Sequence, residues 1–195
     1  ASTDGKKRGG VLAPFMDHRI VMLGTGNAFL PHGRHHSFAM FDGQHIIDAP
    51  PTALAGLRRR GINVADLRTV FITHVHGDHV FGFPFLLLER KYISDREGQQ
   101  PLTVVGTPFV KERLTHLCQL AFPGSLDSML EHITWRMEDE GQLDDGWRWE
   151  RFEVHHEDVD LELLDPPRDT WPKLVQILAE SFTLFAPCLL YTSDA

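Results

Sequence analysis

The chain has 195 residues, 42% of them hydrophobic and 24% charged, the composition of a soluble domain with a proper core and not of a disordered chain. A formal net charge of −8 builds no general attraction to nucleic acid or anionic membrane, yet leaves a phosphate-bearing substrate open. Only Cys118 and Cys188 are present, too few for a disulfide framework and in keeping with a reducing, cytoplasmic setting.

Residues 1–15 are a polar, flexible lead with one brief apolar patch at Val11-Leu12-Ala13, without the pattern of a signal peptide or membrane span. The folded part is expected to begin at Met16. Three short strands follow, "RIVMLGTG", "SFAMFDG" and "QHIIDAP", with Asp42-Gly43 as the turn between the last two. This predicts an antiparallel start to a sheet.

After Pro50-Pro51, Thr52 is placed to cap a short helix with Leu54 and Leu57 on one face, ended by Gly61. Arg58, Arg59 and Arg60 suit the negative end of that helix, which is a simpler role for them than a nucleic-acid patch. "LRTVFIT" reads as a strand and "FPFLLLERKYI" as a buried helix with Pro84 in its first turn. "PLTVVGTP" reads as another strand and "FVKERLTHLCQLAF" as another helix. In "WRWERFEVHH" Trp147 and Trp149 alternate as in a late strand, and "KLVQILAESFTLFAP" is expected to be a helix. Strands alternating with helices, without repeats, indicate an α/β layered domain.

The chemistry concentrates in "FITHVHGDHVFGFPFLLLER", residues 71–90, which sets three histidines and an aspartate directly after an apolar run. Polar groups in such a place are costly unless something pairs with them, and a metal ion is the natural partner. In an extended segment His74 and His76 point to one side and share one ion. Gly77 then lets the backbone turn, and Asp78 and His79, adjacent and therefore expected to diverge, address a second. Imidazole with carboxylate favours zinc, with manganese or iron as alternatives. His35 and His36 in "GRHHSF" read as a polar loop near the site, because no partner spacing accompanies them.

"THVHGDH" resembles the HxHxDH motif of the metallo-β-lactamase superfamily, hydrolases built as an αββα sandwich. "LGTGNAF" is similar to that family's first glycine turn, "IIDAP" to its strand-ending aspartate, and "HGDHVFGFPFLL" to its ribonuclease Z and phosphodiesterase branch. The likeness runs from about Arg19 to His156. It implies that His74 and His76 hold a first metal, that Asp78 and His79 hold a second, that Asp48 orients the site from behind, and that two zinc ions acidify a water which Asp78 orients and can deprotonate. It also implies a histidine ligand at the end of a later strand. In "FEVHH" the alternation of Phe152 and Val154 favours His156 over His155 for that place. Flavodiiron relatives carry glutamate where His76 stands, so a histidine there points to hydrolysis and away from redox chemistry.

The expected substrate is a small-molecule or nucleic-acid phosphodiester. The alternatives are a carboxylic ester, lactone or thioester, or a catalytically silent metal-binding module. The loop "SDREGQQ" is short for the tRNA-gripping arm of ribonuclease Z. After His156 the sequence has no further histidine, and Asp165 before Pro166-Pro167 lacks the context of the family's bridging aspartate. The last eight residues, "CLLYTSDA", look like the translation of a sequencing adapter. On this reading residues 16–187 form a partial domain, incomplete at its C-terminus, with 165–187 doubtful and 188–195 extraneous. The 195 residues alone would then bind metal weakly and lack turnover.

Overall fold

A computed structural model describes residues 19–151 and the backbone of a strand at 182–185. Six strands, β1 (Ile20–Gly24), β2 (Phe38–Phe41), β3 (His45–Ile47), β4 (Thr69–Phe71), β5 (Leu102–Val105) and β6 (Ile133–Arg136), form one sheet in chain order. The first two pairings are antiparallel and the remaining three parallel. Asp42 and Gly43, at φ 49° and 70°, supply the two left-handed residues that a tight hairpin between β2 and β3 requires.

Each parallel pairing needs a crossover. Helix α1 (Ala53–Arg59) links β3 to β4; the short turn α2 (Gly77–Val80) and α3 (Phe83–Glu89) link β4 to β5; α4 (Pro108–Ala121) and α5 (Asp127–Glu131) link β5 to β6. Alternation along the strands sorts the sheet into two faces. Met40, Ile46, Val70 and Val104 pack with Leu57, Phe83, Leu87 and Leu114 in the larger core. Phe41, Ile47, Phe71 and Val105 pack instead with Trp147 and Trp149. Each fully buried large apolar side chain contributes on the order of 2 kcal/mol.

The two tryptophans bring in a second, antiparallel sheet of β7 (Glu140–Gln142), β8 (Arg148–Arg151) and β9 (Phe182–Phe185). Phe41 meets Trp147 at a centroid distance of 4.7 Å, and Phe71 meets Trp149 edge-on at 6.2 Å. Trp147 Nε1 donates to Asp42 Oδ2 over 2.9 Å, and His45 Nε2 lies 2.6 Å from Asp145 Oδ2. Helices, six-stranded sheet and three-stranded sheet are three consecutive layers of the expected αββα sandwich. No helix among the described residues is long and apolar enough to cross a membrane.

Three local expectations are corrected. Thr52 stands at the N-terminus of α1 without a side-chain cap bond; its Oγ1 instead accepts from the backbone N–H of His36 at 3.1 Å. The helix expected through Ile93 ends at Glu89 and widens into a π-turn over Arg90–Ser94. There the buried Arg90 guanidinium donates to the carbonyls of Val64, Leu67 and Gln100, a pull that a regular helix end would not satisfy. Within the segment read as a late helix, Phe182–Phe185 is a strand paired antiparallel with β8, where the open edge of β8 offers its backbone a ladder of hydrogen bonds. The lead 1–15 and residues 152–181 and 186–195, with His155, His156, Asp165 and Cys188, lie outside the described residues.

Candidate metal centre

Parallel pairing of β3 with β4 aligns Ile47 with Phe71, so Asp48 and the residues after Phe71 leave the sheet at the same edge. Asp48 is fully buried and takes φ 67°, a left-handed conformation that costs a non-glycine residue roughly 1 kcal/mol or more. The segment is held in place by its backbone: Asp48 N–H donates to Phe71 O at 2.7 Å, Ala49 N–H to His79 O at 2.8 Å, and Gly82 N–H to Ala49 O at 2.8 Å. A β-carbon on Gly82 would fall 1.9 Å from Pro50 O, so only glycine lets the junction of α2 and α3 approach this segment.

The Asp48 carboxylate organises what surrounds it. Oδ1 accepts from the Thr73 N–H at 2.9 Å, and the Thr73 hydroxyl lies 3.0 and 2.9 Å from the two carboxylate oxygens. His79 Nδ1 is 2.7 Å from Oδ2. The same Thr73 hydroxyl lies 3.0 Å from Nδ1 of His74. An ionised carboxylate only accepts, so the hydroxyl gives it its single proton and must itself accept from Nδ1–H of His74. One buried carboxylate thereby sets the tautomers of two imidazoles, His79 directly and His74 through a hydroxyl. Nε2 is then the nitrogen that each could present to a metal, as in the arrangement by which metal-binding histidines are oriented from behind.

The rings gather closely. His74 lies 4.7 Å from His76 and 4.0 Å from His79, centroid to centroid. His79 Nε2 is 3.4 Å from Asp78 Oδ2, so these neighbours face each other and do not diverge as expected. The reason is local: Gly77 opens a helical turn, and successive side chains are then about 100° apart instead of the roughly 180° of a strand.

Burial opposes the charge on His79, but hydrogen bonds to Asp48 and Asp78, and their charges, outweigh it and hold the imidazole at about 9. The hydrogen bond from His79 holds Asp78 down at about 2. The proton between Nε2 of His79 and Asp78 occupies the place where a cation is wanted, and metal binding to such a pair would release it. Among the described residues, however, no three His, Cys, Asp or Glu side chains are grouped closely enough to hold an ion as they stand. The donor chemistry fits zinc, manganese or iron. His74, His76, Asp78, His79 and the supporting Asp48 come together at one edge of the sheet, and His156 is not among the described residues.

One residue escaped the sequence reading and another is more buried than it implied. Thr73 carried no signal beyond its place beside His74. His36, expected in a polar loop near the site, is only 7% exposed, with Nδ1 3.2 Å from Thr52 Oγ1. Burial pushes its imidazole below the ordinary value against the pull of the Asp78 carboxylate.

Residues 18–133 match the family described as "Anti-Pycsar protein Apyc1". The chain is 35% identical over 95 residues to the "Anti-Pycsar protein Apyc1" of Paenibacillus sp. (strain J14), covering 48% of this chain and 38% of that protein. It is 32% identical over 99 residues to a ribonuclease Z of Listeria monocytogenes serotype 4a (strain HCC23), covering 48% and 31%. The match thus spans about a third of these relatives' length. Among solved structures, the short form of human tRNase Z superposes with a TM-score of 0.52 at 20% identity, covering 68% of this chain and 59% of that one. The metallo-β-lactamase fold protein YhfI of Bacillus subtilis gives 0.50 at 13%, covering 71% and 55%. The fold is that of the metallo-β-lactamases.

Proposed function

This chain belongs to the Anti-Pycsar protein Apyc1 family, and from that premise we propose that its site hydrolyses a phosphodiester bond in a cyclic nucleotide. The observation that carries the reading is the cluster of three imidazoles and a carboxylate, in which the buried Asp48 sets the tautomers of His74 and His79. The family description favours cyclic nucleotide degradation, and the ribonuclease Z likeness favours a phosphodiester of some kind. Between these, the net charge of −8 disfavours a polyanion such as tRNA more than a small singly charged diester.

His74 and His76 would hold one ion, Asp78 and His79 a second, and His156 would complete the set. The chemistry a bound metal supplies is Lewis acidity toward a phosphoryl oxygen and acidification of a water. The protein's own part is positional. Asp48 and Thr73 lock the imidazoles of His74 and His79 before substrate arrives, which removes reorganisation from the reaction. Asp78, ionised across the physiological range, accepts a hydrogen bond from the attacking water and directs its lone pair at phosphorus.

The test is the zinc-supplemented full-length protein assayed on 3′,5′-cyclic nucleotides, a precursor tRNA, and a lactone and thioester panel. Turnover of cyclic nucleotide that chelation abolishes is the expected result. Turnover confined to tRNA or to carbonyl substrates would replace this reading, and silence on every substrate would leave a metal-binding module without activity.

A further inference from the structure

We infer that Phe81 is a stacking platform for the base of the nucleotide, a specificity residue that rests on the phosphodiesterase reading above. Phe81 follows the motif directly, at the C-terminal end of α2, and its backbone N–H donates to Gly77 O at 3.0 Å. The ring folds back over the Gly77 backbone: a β-carbon at position 77 would lie 2.6 Å from its Cε2 and 2.8 Å from its Cζ. Glycine between His76 and Asp78 therefore opens the space that the ring occupies.

That seat fixes the ring while leaving it 51% exposed. A large apolar group pinned at the rim of a polar site, with exposed His76 and half-buried Asp78 on either side of its anchor, fits a ligand that is flat and apolar at one end and anionic at the other. Phe85 is a useful contrast, because it is 48% exposed but its ring is engaged edge-on by Phe122 at 5.3 Å. Among the described residues no aromatic ring packs on Phe81. Every base has a π-face, so such a platform selects nucleotides over simple phosphates without selecting one base.

The probes are adenosine 5′-monophosphate and ribose 5-phosphate, titrated into the zinc-supplemented full-length protein by calorimetry. Wild type should prefer the nucleotide. Phe81→Ala and Phe81→Leu should lose about tenfold in affinity for it with no change toward ribose 5-phosphate, while Phe81→Trp should restore the preference and Phe85→Ala should behave as wild type. Phe81→Leu keeps an apolar cover over Gly77, so its loss would mark stacking and not structure. Equal binding of the two probes by wild type, binding of neither, or a Phe81→Leu variant that keeps the preference overturns the inference. Parallel assays on a cyclic nucleotide separate the two claims. A base preference without hydrolysis sinks the proposed activity and leaves the platform standing, whereas hydrolysis without a base preference does the reverse.

Discussion

Nδ1 of His79 stands 2.7 Å from Oδ2 of Asp48, a carboxylate with no exposure to solvent. The pair couples a backbone constraint to a proposed ligand: Asp48 is held in a left-handed conformation at the end of a core strand, and the imidazole it fixes belongs to the histidine motif. Asp48→Asn separates these roles, because asparagine tolerates the same φ but lacks the charge. The variant should fold and bind zinc about 10- to 100-fold more weakly. Competition with a chromophoric chelator measures this, and unchanged affinity would show that the carboxylate does not support the site.

Thr73 gives a second handle on the same network. Thr73→Val keeps the shape and deletes the hydroxyl that relays Asp48 to His74. Zinc affinity should fall by about tenfold, and Thr73→Ser should restore it. If valine binds as wild type does, the relay is idle.

The ligand assignment is tested by metal analysis of purified full-length variants. His74→Ala or His76→Ala should each lower bound zinc and abolish turnover, because one imidazole is too few for a catalytic site. His156→Ala should lose metal where His155→Ala does not. The reverse outcome would mean that the alternation in "FEVHH" runs on the other face.

Stability should depend on pH through His45. Burial pushes its imidazole below the ordinary value more than Asp145 pulls it up, and the 39% exposure of Asp145 explains why solvent weakens that pull. A lowered base in the folded state means that the unfolded chain binds the proton more readily. The contribution is therefore complete above about pH 6.5 and is lost as pH falls below it, at a slope of at most about 1.4 kcal/mol per pH unit for one proton. Urea melts between pH 7 and 5 should show the decline, and His45→Gln should flatten it. Equal slopes in both proteins would assign the effect to other groups, among which buried His36 acts with the same sign.

Much of this was legible because the signals are local. Histidines at 74, 76 and 79 follow an apolar strand, and no inexpensive burial exists for them without a partner. The pairing of Trp147 and Trp149 on one core face also followed from alternation alone. The failures share a cause. Whether Asp78 and His79 diverge depends on a helical turn four residues long, too short to show a period. Whether Thr52 caps its own helix or serves His36 depends on a contact sixteen residues away. Thr73 could not be singled out because its role is set by Asp48, 25 positions earlier.

The order of the first sheet, in which each strand pairs with its neighbour in the chain, has a kinetic consequence. Its six strands can assemble by successive short closures, whereas the bonds that seat the second sheet, Asp42 to Trp147 and His45 to Asp145, close loops of 105 and 100 residues. Long closures come late in folding. The edge carrying Asp48 and the histidines should therefore form before the second sheet docks. Replacing Trp147 by Phe should then speed unfolding while leaving the refolding rate nearly unchanged; stopped-flow measurements that find refolding slowed in proportion would place the docking of the two sheets inside the rate-limiting step.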